Sequence, residues 1–474
     1  MRSRNPWSRR QFLVSAGVAG AAVLTGCGRS APAAAPPTVP DDLVAAAQPF
    51  KGTSLTVLSQ RTYAKTANQA LETALSAFAD RTGTTIKNSF LEGDAGNAVA
   101  KTDAAVKAGN GPDLAFFSAS RFVAQFRDLG DLTDVSDVVA QLEQQHGKPA
   151  DVARSTAMID GAWWGIPYYS IGQGSLVRKD WLAEKGIPLD QLRTLADARD
   201  IALEISDPGK NRYGWGITIN RSGDGNAMIE RVMNGYGSSI VADDGRQVIF
   251  NSPETVDAIS FLADLYANPR YAAMRPPGIE SWTDSGNNEA WLAGVIGLTQ
   301  NQFSVYADSK VTGNPVYPNT ATLVGLAGPA TDRPIETGDC HALVVFNGAR
   351  NPGLAKVVAQ YLVAGPPLLS MARVSDGLVM PVYQNVWDSD PFYRDGDPAF
   401  RTIRELMTQP LPIETRTGLR FPQAPSAGRQ AVLQSYLLTD MMAEILQKRV
   451  PVQQAVADTH RRIADLFRQL GVPQ

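Results

Sequence analysis

Ser54-Leu55-Thr56-Val57-Leu58-Ser59 opens a stretch that runs to residue 118 and switches repeatedly between two periods. Leu55 and Val57 fall on one face of an extended chain, the period of a strand. After a polar loop, Leu71, Ala74, Leu75 and Phe78 recur at three- and four-residue spacing, which predicts a helix stopped at Gly83. Residues 84–90 return to strand character and 97–108 to a helical pattern. Gly109-Asn110-Gly111-Pro112 then breaks the chain, and 113–118 reads as a third strand. Strand, helix, strand, helix, strand at this spacing predicts a parallel sheet with helices on its faces. Such sheets bind ligands beyond the C-terminal ends of their strands, so Gln60-Arg61-Thr62-Tyr63 and Ser118-Ala119-Ser120-Arg121 are the first loops of interest.

Toward the N-terminus the pattern gives way to a leader. Arg2, Arg4, Arg9 and Arg10 precede small and apolar residues 12–23 and then Leu24-Thr25-Gly26-Cys27. The run is shorter than the roughly 20 apolar residues a membrane helix needs, so residues 1–26 read as an export signal. Ser8-Arg9-Arg10-Gln11-Phe12-Leu13 resembles the twin-arginine export motif, and Leu24-Thr25-Gly26-Cys27 resembles a bacterial lipobox. Cys27 is then the lipidated residue, with the chain anchored outside the cytoplasmic membrane. Residues 27–49, rich in Ala, Pro and Ser, read as a flexible tether.

Composition removes several function classes. A net charge of −3, with Lys and Arg scattered, offers no basic field for nucleic acid. The only other cysteine is Cys340, read as a small buried hydrophobe, so no disulfide staple is expected. His146, His341 and His460 lie far apart and no His-Glu-x-x-His, Walker loop, Gly-x-Ser-x-Gly or dinucleotide loop occurs, so neither metal nor cofactor is expected. Asp388, Asp390, Asp395 and Asp397 suggest a calcium loop, but Tyr393 stands where an EF-hand needs Gly; a solvated acidic turn is the plainer reading.

Toward the C-terminus the alternation continues. Residues 174–178 read as a strand, 240–250 as a hairpin turned by Asp243-Asp244-Gly245, and 342–346 as a buried strand. Asn351-Pro352 starts a helix, and two helices, 428–448 and 452–470, divided by Pro451, close the chain.

Six segments in order then resemble the extracellular solute-binding proteins of carbohydrate ABC importers, the group of the maltose- and glycerophosphodiester-binding proteins. They are Ala108-Gly109-Asn110-Gly111-Pro112-Asp113-Leu114, residues 160–168 from Asp160-Gly161 to Ile166-Pro167-Tyr168, and residues 176–182 ending Lys179-Asp180-Trp181-Leu182. Ala290-Trp291-Leu292-Ala293-Gly294-Val295-Ile296-Gly297-Leu298, Met380-Pro381-Val382 and Asp390-Pro391 complete the set. The resemblance implies an α/β periplasmic-binding-protein fold of two discontinuous lobes and a hinge, with 50–166 and 340–377 in the first lobe and 167–339 and 378–474 in the second. It also implies capture of a sugar-like ligand between the lobes, delivery to the permease of an ABC importer, and a monomer.

Sugars present hydroxyls and apolar C–H faces, so their sites combine aromatic platforms with planar polar groups. Carried over position by position, the implied contacts are Gln60, Arg61, Tyr63, Phe117 and Ser118 from the first lobe. Tyr168, Tyr169 and Ser170 stand at the crossing, and Asn220, Asn226, Trp282, Gln300, Gln302, Phe303 and Arg420 come from the second lobe. Each could equally be a packing or solvated residue. Trp163 and Trp164 suit the core better than a ligand. Arg420 suits carboxylate or phosphate as well as hydroxyls, which leaves an anionic sugar derivative open. The alternative from another class is a secreted glycoside-active enzyme using two carboxylates.

Overall fold

The computed structural model describes residues 36–62, 64–91, 98–117, 121–336, 340–472 and 474. The export signal, the lipobox with Cys27, Tyr63 and Ser118 lie outside the described residues. Residues 36–474 cluster as one compact unit.

Among the described residues nine strands build two sheets: β1 (Ser54–Gln60), β2 (Thr85–Leu91), β3 (Leu114–Phe117), β4 (Ile166–Pro167), β5 (Gln173–Arg178), β6 (Tyr213–Trp215), β7 (Ile296–Gln302), β8 (Thr320–Leu323) and β9 (Ala342–Val345). The first has the order β2-β1-β3-β9-β4 and the second β8-β5-β7-β6. β1 is parallel to β2 and β3, as the opening alternation requires. β9 runs antiparallel to both β3 and β4, and β5 is antiparallel to β7 and β8. Leu114 to Phe117 are buried throughout, as suits a central strand covered on both faces. Helix Lys65–Thr82 lays Leu71, Ala74, Leu75 and Phe78 on the sheet and stops at Gly83, whose φ of 69° is the left-handed conformation that ends helices cheaply only at glycine.

The chain leaves the first sheet after Pro167 and returns to it at Ala342. At the same junction Tyr169–Ser170 pairs antiparallel with Met380–Pro381, so a further passage of chain lies beside the first. Two apolar cores form, one around Phe116, Phe126 and Leu343 that also takes in Leu176 and Ile296 of the second sheet, the other around Trp215, Ile229 and Leu262. Trp282 packs against both. Residues 378–407, including Met380, Trp387 and Phe400, pack into the first core, whereas Val432, Met441 and Phe467 belong to the second. Among the described residues no single helix is long and apolar enough to cross a membrane.

Three local expectations need correction and a fourth holds. The tether does not extend to residue 49: helix Asp41–Ala47 packs against Lys65–Thr82 and Pro352–Val363, Ala47 is fully buried, and Tyr361 Oη donates to Pro37 O at 3.2 Å. Its few apolar residues suffice because the partner helices supply the rest of the surface. The 240–250 hairpin forms around Gly245 as expected: on either side of the Val241–Val248 pair the Ala242 N–H donates to Gln247 O at 2.9 Å and the Ile249 N–H to Ile240 O at 3.1 Å, while the outward Val248 N–H goes to Gln474 Oε1. The helix expected from 428 to 448 breaks at Tyr436, which takes φ 60° between Ala427–Ser435 and Leu437–Lys448. Finally, Asp397 is no solvated turn residue. It is buried, and accepts hydrogen bonds from Tyr306 Oη and Tyr317 Oη, both at 2.6 Å, and from the Ala399 N–H at 2.9 Å, beside Lys310 Nζ at 3.1 Å.

Candidate functional site

Two helix N-termini organise the candidate cavity. Ser222 Oγ accepts the Gly225 N–H at 3.0 Å and so starts helix Gly223–Gly235, and Ser426 Oγ accepts the Arg429 N–H at 3.1 Å to start Ala427–Ser435. Positions four apart share a helix face, which sets Asn226 and Glu230 side by side on the first helix. A cavity of about 240 Å³ opens between these two helices, the loop 421–426, and an opposite wall of Ala124, Val152, Ser155 and Thr156. That opposite wall belongs to helices Arg121–Asp128 and Asp151–Ala157, which pack into the first core. Helices Arg121–Asp128 and Ala427–Ser435 touch, and Gln125 and Gln434 exchange two amide hydrogen bonds of 3.3 Å.

The charges facing the cavity are paired. Arg429 donates from Nε and Nη2 to the two Glu230 oxygens at 2.9 and 3.0 Å, a bidentate fork. Arg231 lies with Nε against Glu336 Oε1, an ion pair without hydrogen-bond alignment. It also donates to Gln300 Oε1 at 3.1 Å and Gln173 Oε1 at 3.4 Å. The Arg231 and Glu336 side chains are 11% and 7% exposed, so neither carries its charge into bulk water. Burial pushes the Glu336 carboxyl above its ordinary value, and Arg231 draws it back only in part.

Apart from Glu336 Oε1, the buried atoms of this lining without a hydrogen-bond partner are amides. Asn226 donates through Nδ2 to Leu433 O at 2.7 Å, which orients the side chain, while its buried Oδ1 has no hydrogen-bond partner in the protein. Gln423 Nε2 and Gln430 Oε1 on the same lining, and Gln300 Nε2 behind Arg231, are buried and unpartnered too. Unpartnered buried polar atoms are rare and costly, and several converging on one cavity point to a polar ligand that completes them.

Of the residues singled out in the sequence, Asn226 lines the cavity and Gln300 supports it through Arg231. The others stand elsewhere. Phe117 is a core residue, its ring packed at 5.2 Å on Phe122 and 5.3 Å on Phe126. Phe303 wedges into the crossing against Gly172 and Gly174, where a Cβ at either glycine would collide with its neighbours. Tyr168 is buried with Oη donating to Met371 Sδ at 3.2 Å, and Tyr169 stacks on His341 at 4.7 Å. Ser170 is buried in the pairing with Met380. Asn220 Nδ2 donates to Ile279 O at 2.8 Å and so holds the loop carrying Trp282. Gln60 and Gln302 close β1 and β7, half-buried, and Arg61 is exposed with its guanidinium 4.4 Å from the Phe90 ring. Arg420 is also exposed, and its Nε donates to Asp243 at 2.8 Å, outside the cavity lining.

Sequence reasoning missed Glu230, Arg231, Glu336, Gln423, Arg429 and Gln430. Glu230 and Arg231 sit in a helix whose polar face reads as solvated, and Glu336 in a loop without periodicity. The only local signal was Ser426 before Arg429, a helix-start pattern that speaks of capping rather than binding. Among the described residues no group of three or more His, Cys, Asp or Glu could hold a metal ion.

A family model described as bacterial extracellular solute-binding protein matches residues 60–364. A mannitol-binding protein of Pseudomonas aeruginosa is 24% identical over 217 residues, which span 44% of this chain and 47% of that protein. The fold matches an ABC transporter solute-binding protein of Thermotoga lettingae bound with α-D-tagatose at a TM-score of 0.71 and 17% identity, over 88% of this chain and all of that one. Maltose-bound MalE3 of T. maritima matches at a TM-score of 0.72 and 16% identity, with the same coverage.

Proposed function

The chain belongs to the bacterial extracellular solute-binding proteins, and on that premise we propose that it captures a sugar or sugar-derived solute and delivers it to the permease of an ABC importer. The observation that carries the reading is the cavity between helices of the two cores, with buried amide atoms of Asn226, Gln423 and Gln430 awaiting partners. Polyhydroxylated ligands supply donors and acceptors to such groups at once. The relatives that bind mannitol, tagatose and maltose point the same way. The lobes are taken as 50–166 with 340–377 and 167–339 with 378–474, with helix Asp41–Ala47 added to the first and 378–407 packed across both, closing as a hinge over the ligand.

The carboxylates support binding without turnover. Among the described residues, the two that line the cavity, Glu230 and Glu336, are both held by arginines, a poor arrangement for the acid and base of glycoside hydrolysis. The purified protein is expected to gain thermal stability with a neutral sugar or polyol from a panel, since a ligand that binds only the folded state raises the melting temperature. The bound compound should be recovered unchanged. Conversion of the compound, abolished by replacing one of these glutamates, would put the enzyme reading ahead.

The extracytoplasmic location that the family implies is completed by a lipid on Cys27. Cys27→Ser should move the protein from the membrane fraction to the soluble one, or leave an unprocessed precursor. A wild-type protein that is soluble and carries no acyl chain in mass spectrometry would refute the anchor.

A further inference from the structure

Resting on that reading, we propose that the ligand is electrically neutral, and that the Glu230–Arg429 and Arg231–Glu336 pairs exclude anionic sugar derivatives from the cavity. The four side chains are the charged groups on its lining among the described residues, and their charges cancel. Each guanidinium is already committed: Arg429 to both Glu230 oxygens, and Arg231 to Glu336, Gln300 and Gln173.

A phosphate ester brings a charge of about −1.5 to −2 and needs donors for its oxygens. Among the described lining residues it meets two carboxylates and no unpaired cation. Seating it requires breaking a pair, which leaves a glutamate uncompensated next to the incoming anion. A cationic amino sugar meets the reverse problem, because both carboxylates are occupied. The buried amide atoms without a partner are of both senses, Asn226 Oδ1 and Gln430 Oε1 as acceptors and Gln423 Nε2 as donor. A hydroxyl both donates and accepts, so a polyol or neutral sugar completes all three without disturbing an ion pair. Arg420, the one residue that kept an anionic ligand open, is bound to Asp243 outside this lining.

Calorimetric titration of the purified protein should compare neutral hexoses, hexitols and disaccharides with their phosphate esters, D-mannitol against D-mannitol 1-phosphate among them. The best neutral compound is expected to bind at least about 100-fold more tightly than its phosphate ester. Glu230→Gln releases Arg429 and should narrow that gap by roughly tenfold, through tighter binding of the ester. Gln430→Leu should weaken the neutral ligand by roughly tenfold without lowering the melting temperature of the free protein, because the acceptor it removes has no partner there. A phosphate ester that binds within tenfold of its parent overturns the neutrality proposal and leaves the sugar reading standing. Failure of the whole panel to bind overturns both.

Discussion

Replacing Arg231 with leucine is expected to cost about 3–5 kcal/mol of folding stability in denaturant unfolding of the purified protein, because it strands the Glu336 carboxylate away from water. The same replacement also frees Gln300 Oε1, so the wall of the cavity loosens along with the ion pair. The pH dependence has a definite sign. Burial already holds the Glu336 carboxyl above its ordinary value, and losing Arg231 raises it further. A carboxyl raised on folding binds its proton more tightly in the folded chain, so its penalty is full above the folded value and shrinks as pH falls toward the unfolded value of about 4.3. The gap between wild type and variant should therefore be smaller at pH 5 than at pH 8. Replacing Arg231 and Glu336 together with leucine should recover most of the loss, since no charge is then left unpaired. A single-variant loss under about 1 kcal/mol, or a double variant no better than the single, would refute the role assigned to this pair.

Asp397→Ala is expected to cost about 3–5 kcal/mol, because one carboxylate serves several buried partners at once. The substitution leaves the Tyr306 and Tyr317 hydroxyls without their acceptor, removes one of the two carboxylates beside Lys310, and uncaps helix Pro398–Thr408. Its pH trend is opposite to that of Glu336. Burial pushes this carboxyl up, but the hydrogen bonds from Tyr306, Tyr317, the Ala399 N–H and Lys310 outweigh it and leave the value lowered. A carboxyl lowered on folding stabilises fully above its unfolded value of about 3.9, and that contribution is lost as pH falls through the folded value. Asp397→Ala should thus be nearer to wild type at pH 3 than at pH 7. Equal gaps at the two pH values would show that the carboxylate charge plays no part. Because Tyr306 and Lys310 lie on helix Ser304–Val311, directly after β7, the network also fixes the strand that carries Gln300.

Much of the fold was legible because its signals are local. The alternation of Leu55 and Val57, the helical recurrence of Leu71, Ala74, Leu75 and Phe78 and the stop at Gly83 concern residues a few positions apart, where backbone geometry alone dictates which side chains share a face. Six short segments in sequence order then led to the family. Where the fold departs from these local signals, a partner remote in sequence intervenes: helix Asp41–Ala47 is held by helices far along the chain, and Asp397 is buried by Tyr306, Tyr317 and Lys310, some 80 to 90 residues before it.

The site was legible only in part, for the same physical reason. Asn226 and Gln300 were named from the chain, but Arg231 meets Glu336 across more than a hundred residues, and Glu230 meets Arg429 across 199. Arg420 and Arg429 are the same residue type nine positions apart, and no periodicity tells which one faces a cavity. Packing decides it, turning Arg420 to Asp243 at the surface and Arg429 onto Glu230 beside the ligand space. The sequence by itself determined the opening strands and helices and the family, because those follow from neighbours along the chain. The tertiary structure alone decided which charges cancel and which amides stay free, because that depends on which distant segments share a wall of the cavity.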